Sequence, residues 1–147
     1  LHENNASIDL NEMIITIAEG YNLSQSVVHF SPIEIAPVIA KPLAIKRVLT
    51  NLIGNGVKYG QQVWVKLEET PEWVVVTIQD KGPGIPADKL EAVFEPYFRL
   101  ADDDQGHGLG LGICRSILHG HGGDIILRNP AHGGLEVQVF IPPMLEV

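Results

Sequence analysis

Apolar positions along this chain follow two rhythms. From residue 9 to 20, Leu10, Met13, Ile14, Ile17 and Ala18 recur at the spacing of one helix face, behind Asp9 and Glu12, which resemble a capping pair. A clearer helical pattern covers 42–59. Pro42 suits a first turn, and Ile45, Val48, Leu49, Leu52 and Ile53 form a continuous apolar face. Between these patterns, 27–30 and 33–36 are short apolar pieces near Pro32 and Pro37, expected as short strands or extended chain. The rhythm then changes to two. Val63, Val65 and Leu67 alternate with Trp64, Lys66 and Glu68, and Val74, Val76 and Ile78 with Val75, Thr77 and Gln79. Later strands are predicted over 124–128 and 135–141, joined by a hairpin turn at 129–134. A short helix is predicted over 87–94, and another from near Gly108 to about Gly120. The order predicts a sandwich: one sheet with helices on one face.

With 147 residues, 45% of them apolar, the chain has material for one domain with a real core. A formal charge of −8 argues against a nucleic-acid partner, whose phosphates require a basic face, but does not exclude a nucleotide held locally. The only cysteine, Cys114, forms no internal disulfide, which fits a reducing compartment. No apolar run has the length of a membrane span, and no membrane contact by this domain is expected. The first residue is Leu1 rather than Met, so a piece of a longer protein is expected.

Candidate chemistry gathers at three places. On the second helix, at about 100° per residue, Asn51, Asn55 and Lys58 fall in one narrow arc beside the apolar face, with Tyr59 between that arc and the core. Carboxamide oxygens suit Mg²⁺, and an ammonium neutralises phosphate. Taken alone, a polar flank facing water explains this helix equally well. Next, Asp80-Lys-Gly82-Pro-Gly84 closes a hydrophobic strand. A carboxylate there can accept a hydrogen bond from an exocyclic amine such as adenine's. Gly82 and Gly84 let the backbone approach a flat ring, and Ile85 supplies an apolar wall. Alone, this is more simply a tight turn. Finally, Gly106-His107-Gly108-Leu109-Gly110-Leu111-Gly112 opens a helix whose buried side carries Ile113, Ile117 and Leu118. Amides at a helix N-terminus attract anions, so this cluster reads as a phosphate cradle rather than a hinge. No Gly-Lys dipeptide exists for a Walker loop, and neither glycine cluster fits G-x-G-x-x-G.

These elements, in this order, resemble the catalytic ATP-binding domain of sensor histidine kinases, in the GHKL (Bergerat-fold) ATPase superfamily. Residues 51–59 resemble its N box, 80–84 its first glycine box, Phe94-Glu-Pro96-Tyr-Phe98-Arg99 its F box and 106–113 its second glycine box. His121-Gly122-Gly123 before a strand is a further familiar feature. The resemblance covers nearly all of 1–147. It implies an α+β two-layer sandwich with a mixed, mostly antiparallel sheet, read as a single catalytic domain without the dimerisation and phosphoacceptor domain. By the same resemblance Asn55 would ligate Mg²⁺, Asn51 would support metal or reacting phosphate, Lys58 would contact phosphates, and Tyr59 would pack near adenine or sugar. Asp80 would read the adenine amine. Gly106, His107, Gly108, Leu109, Gly110 and Leu111 would hold phosphates. Phe98 and residues 100–105 would belong to a short lid, with Arg99 a candidate for the γ-phosphate. Gly56 and Gly112 stand where alanine is common in the family. Glycine costs about 1 kcal/mol against alanine in a helix, which predicts looser helices.

The implied activity is transfer of the γ-phosphate of Mg-ATP to a histidine on an upstream dimerisation domain of the same protein, serving a response regulator. The expected setting is the cytoplasmic side of a bacterial inner-membrane sensor. An ATP hydrolase of the gyrase, chaperone or mismatch-repair branch is the alternative, but those relatives place a glutamate base where Asn51 stands, and a carboxamide takes no proton from water. A non-catalytic nucleotide sensor is the third reading. His2-Glu3 superficially resembles a phosphoacceptor dipeptide without the proline and helix that should follow it, and none of the six histidines is assigned as the acceptor. Cys114 reads as a packed residue, Trp64 and Trp73 as cover for a sheet face, and Asp102 to Asp104 as a solvated lid segment.

Overall fold

A computed structural model describes residues 2–96 and 110–144. Strand β1 (Ala6–Ile8) leads into helix α1 (Leu10–Tyr21), followed by β2 (Val28–Phe30), β3 (Val38–Ala40) and the long helix α2 (Pro42–Gly60). Strands β4 (Val63–Glu69) and β5 (Val74–Asp80) form a hairpin. Two single 3₁₀ turns (Ala87–Lys89 and Ala92–Phe94) come next, and then α3 (Leu111–Gly120), β6 (Asp124–Arg128) and β7 (Glu136–Ile141). The main sheet has the order β2-β4-β5-β7-β6. Only the β2–β4 pair is parallel, as expected of a mixed, mostly antiparallel sheet.

Alternation decides which face of this sheet is covered. The register sets Val65, Ile78, Val137 and Leu127 in one cross-strand row, and Leu67, Val76, Val139 and Ile125 in the next. These rows face α2 and α3, with α2 against β4 and β5, and α3 against β6 and β7. Ile45, Val48, Leu49 and Ile53 of α2 are fully enclosed, each worth about 1.5–3 kcal/mol of transfer free energy. The opposite face carries its own aromatic cover. Trp64 stacks on His29 with ring centroids 5.4 Å apart and has the Lys81 ammonium 4.7 Å over it, and Trp73 meets Phe140 edge-on.

Several local expectations are corrected. A second, two-stranded sheet pairs β1 with β3 antiparallel, so the described residues form two sheets rather than one. Residues 33–36 form no strand. The Asn11 side chain takes both the N–H and the C=O of Ile33, which satisfies that backbone without a ladder. The predicted helix at 87–94 is two 3₁₀ turns, and the later helix starts at Leu111 within the described residues. The capping expectation holds for Asp9, whose Oδ1 accepts the Glu12 N–H at 3.1 Å.

Gly56 and Gly112 reflect close approach rather than looseness. A Cβ on Gly56 would lie 2.7 Å from Val63 Cγ2, and one on Gly112 would run into the Phe94 carbonyl oxygen. A side chain can adjust, whereas a backbone carbonyl moves only with its segment. Gly20 in α1 has open space around it. Gly112→Ala should therefore destabilise by about 1–3 kcal/mol despite alanine's better helix propensity. Gly20→Ala should stabilise by about 0.5–1 kcal/mol. Urea denaturation followed by circular dichroism separates the two. Equal gains would mean that 92–96 does not press on α3.

Candidate functional site

Asp80 is the fourth member of an inward-facing series. Val74, Val76, Ile78 and Asp80 share one face of β5, and Asp80 pairs with Val63 in the register. An ionisable group thus occupies a core position, only 7% exposed. One of its oxygens, Oδ1, accepts the Gly82 N–H at 2.8 Å. Burial pushes the carboxyl above the usual carboxylate range. Backbone hydrogen bonding from Gly82 and Leu135 pulls the other way without cancelling the shift.

The cleft over Asp80 holds about 470 Å³ of space, counting the part open to solvent. Asn55 and Tyr59 reach it from α2, Gly84 and Ile85 from the loop after β5, and Leu111 from the first turn of α3. Leu52, Leu135 and Val137 complete an apolar lining. Six residues singled out in the sequence (Asn55, Tyr59, Asp80, Gly84, Ile85 and Leu111) therefore meet in one cavity. Gly82 holds the carboxylate from beside it, and the Lys58 ammonium lies 5.0 Å from the centroid of the Tyr59 ring.

Asn51 is placed differently. It lies one turn earlier on α2, against α3 instead of in the cleft lining. Its Nδ2 donates to Cys114 Sγ at 3.5 Å, and a Cβ on Gly110 would come within 3.0 Å of its carboxamide. Gly110 is the N-cap of α3 with φ +70°, a conformation that favours glycine, and it has no side chain with which to cap the helix. The first amides of α3 thus open at the edge of the cleft next to Leu111. Cys114 is 2% exposed and its thiol is raised by burial, as suits a packed residue. Phe98, Arg99, Gly106, His107, Gly108, Leu109 and the lid residues 100–105 lie outside the described residues.

One important residue escaped the sequence reading. Asn129, just after β6, accepts the Ile85 N–H at 3.0 Å and donates its Nδ2 to the Ile85 carbonyl. This two-way clamp fixes the loop that walls the cleft. Gly84, at φ +72°, passes so close that a Cβ would lie 2.6 Å from Asn129 Oδ1. Leu135 and Val137 were legible as strand residues, and the inward alternation of β7 was the available signal for their place in the floor.

Chemically, the cleft offers flat apolar walls, one buried hydrogen-bond acceptor, a carboxamide and a helix N-terminus at the rim. Among the described residues no group of three His, Cys, Asp or Glu could enclose a metal, so a cation here would draw on carboxamide, ligand and water oxygens.

Comparison with known proteins finds a matching family and similar structures. The family described as "Histidine kinase-, DNA gyrase B-, and HSP90-like ATPase" matches residues 40–145. Sensor histidine kinase GtrS of Pseudomonas aeruginosa is 46% identical over 142 residues, covering 97% of this chain and 30% of the relative. Adaptive-response sensory kinase SasA of Microcystis aeruginosa is 40% identical over 109 residues, covering 69% and 28%. The chain thus spans less than a third of the length of these curated relatives. Among solved structures, the nucleotide-free catalytic domain of histidine kinase ThkA superposes with a TM-score of 0.82 at 30% identity over 95% of both chains. The mycobacterial sensor histidine kinase MprB gives 0.79 at 28% identity, over 95% of this chain and 99% of that one.

The raised Asp80 carboxyl has a definite sign in stability. The folded state holds this proton more tightly than the unfolded chain, whose ordinary value is 3.8. Stability therefore falls as pH rises from that value through the raised one, and above the window the charged carboxylate opposes folding. Asp80→Asn should be more stable than the parent chain at neutral pH, with the advantage fading in acid. Urea midpoints across the acid range check this, and a parent chain more stable than Asp80→Asn at neutral pH would contradict it.

Proposed function

The chain belongs to the histidine kinase-, DNA gyrase B- and HSP90-like ATPase family, and from that premise we propose that it binds Mg-ATP and passes the γ-phosphate to a histidine on a separate dimerisation domain. The observation that carries this reading is the buried Asp80 carboxylate in an apolar cleft, facing Asn55 and the opening turn of α3. Adenine would lie between Tyr59 and Ile85, its amine donating to Asp80. Asn55 would give Mg²⁺ a carboxamide oxygen, with phosphates and water supplying the rest. Lys58 and the α3 amides at Gly110 and Leu111 would neutralise phosphate charge. By resemblance Gly106 to Leu109 would extend that cradle, and Phe98 and Arg99 would cover it. Magnesium adds charge neutralisation at the transferring group. The acceptor imidazole supplies the nucleophile, so this chain needs only to position and screen.

Relatives that are sensor kinases support a setting in two-component signalling, with an upstream phosphoacceptor domain and a response regulator as partners. No helix among the described residues is long and apolar enough to cross a membrane. We place the domain on the cytoplasmic side of a bacterial inner-membrane sensor. We also read residues 1–147 as one catalytic domain. Hydrolysis is disfavoured by Asn51, which cannot act as a general base.

Asp80→Asn should weaken ATP by about ten- to hundredfold, the loss expected for a hydrogen bond to a charged acceptor. Asn55→Ala should weaken Mg-ATP far more than metal-free ATP. Calorimetry reads both, and equal losses for the two nucleotide forms would remove Asn55 from the metal shell. The activity itself is tested with γ-labelled ATP and a separately produced dimerisation domain. Acid-labile, base-stable label on that domain is expected. Release of inorganic phosphate without transfer would favour the hydrolase reading, and nucleotide bound but unchanged would favour a sensor.

A further inference from the structure

The amino terminus of α2 is satisfied by two distant parts of the chain. An α-helix leaves its first amides without intrahelical partners. Here the N-cap is Lys41, whose side chain makes no capping bond, and the first helical residue is Pro42, which has no N–H. The remaining amides are all accounted for. Glu3, before β1, accepts the Leu43 N–H through Oε2 at 2.6 Å and the Ala44 N–H through Oε1 at 3.1 Å. His121, just past α3, accepts the Lys41 N–H through Nε2 at 3.1 Å. Its Nδ1 lies 2.8 Å from the Ile117 carbonyl, one of the acceptors that α3 leaves open at its end. With Nε2 accepting, the proton of a neutral ring is on Nδ1 and is donated to Ile117.

His121 thus joins the end of α3 to the start of α2. At the other end of α3, Asn51 from the middle of α2 meets Gly110 and Cys114. The two helices run antiparallel, with α3 tied to α2 at both of its own ends, and the second tie, midway along α2, borders the cleft. A helix is a stiff rod, and sliding α3 along α2 would displace Gly110 against Asn51. We infer that His121 is a positioning residue for the nucleotide site. By joining the Lys41 amide to the Ile117 carbonyl it sets the register of α2 against α3, and so the placing of the α3 amides relative to Asn51 and Asn55. The catalytic side of this inference rests on the nucleotide reading above. The register side does not.

The test uses the whole chain and two readouts. His121→Phe keeps a ring and removes both bonds, while His121→Gln restores one acceptor and one donor. Leu67→Ala, in the core of β4 away from both helix ends, controls for simple destabilisation. Without nucleotide, His121→Phe should shift the NMR signals of the Asn51 side-chain amide and the Gly110 backbone amide, and speed hydrogen exchange at Lys41. With nucleotide, it should weaken Mg-ATP by about three- to tenfold, the size of one or two net hydrogen bonds. His121→Gln should recover most of both effects, and Leu67→Ala should show neither. The inference is overturned if the Asn51 and Gly110 signals stay at their parent positions in His121→Phe, or move equally in Leu67→Ala. Failure of the parent chain to bind ATP would instead defeat the functional reading, leaving the register to be judged from the nucleotide-free spectra. If His121→Phe does not fold, His121→Leu and His121→Ser, which also break the paired bonds, are compared by the same signals, and parent-like spectra in both count against the inference.

Discussion

A carboxylate standing where the sheet calls for an aliphatic side chain constrains the rest of this structure. Asp80 follows Val74, Val76 and Ile78 on the inward face of β5, where enclosing an ionised group opposes folding. The Gly82 amide holds Oδ1, and backbone hydrogen bonding from Leu135 adds to it. A buried carboxyl is unusual in a core that serves stability alone, because apolar packing would do better. It becomes intelligible if the cavity above Asp80 exists to receive a hydrogen-bond donor on a flat apolar group. The neighbouring features follow from keeping that cavity open and shaped. Asn129 grips Ile85 from across the sheet, Gly84 allows the loop to pass beside Asn129, and Leu135 and Val137 give the floor.

Short-range physics made much of this legible in the sequence. The helical face of 42–59 predicted α2 to within a residue, because five aliphatic positions reinforce one another. Alternation predicted β4 and β5, and the structure extends the inward series of β5 to Asp80. The misses share a cause, which is dependence on partners far along the chain. Strands β1 and β3 have three residues each, too few to establish a period, and exist because they pair with each other. Residues 33–36 look extended and apolar, yet Asn11 satisfies Ile33 more directly than a strand would. Asn129 sits in an Asn-Pro turn, where asparagine is commonplace, and only the fold shows that it clamps a residue 44 positions away. Glu3 beside His2 invited comparison with a phosphoacceptor dipeptide, but its carboxylate caps α2.

The two helix glycines show how a propensity argument can mislead. Gly56 and Gly112 weaken a helix considered in isolation, but in the folded chain they set distances. Gly56 lets α2 lie against Val63 of β4, and Gly112 lets α3 lie against the Phe94 carbonyl. Both contacts adjoin the cleft, since Gly56 lines it and Gly112 follows Leu111. A missing methyl at each place thus draws a helix closer to its neighbour, and the breadth of the cavity depends on how close the helices come. Loss of intrinsic helix preference is then a local term outweighed by tertiary geometry.

The surroundings of Asn51 bear on which chemistry this scaffold can perform. In the hydrolytic branches that this chain resembles, a glutamate at this place takes a proton from water. Here the side chain is half-buried, donates to the buried Cys114 thiol and faces Gly110 across a gap with little room. Glutamate would be a methylene longer in that gap, would lose the amide donor, and would bring a charge against a thiol whose own ionisation is already suppressed by burial. Accommodating a base would therefore require moving α3 away from α2, against the tie that His121 makes between them. The packing of these two helices suits a carboxamide that holds position rather than a carboxylate that exchanges protons. With a carboxamide and no base at position 51, the described residues suit an incoming nucleophile, which favours transfer to an acceptor over hydrolysis.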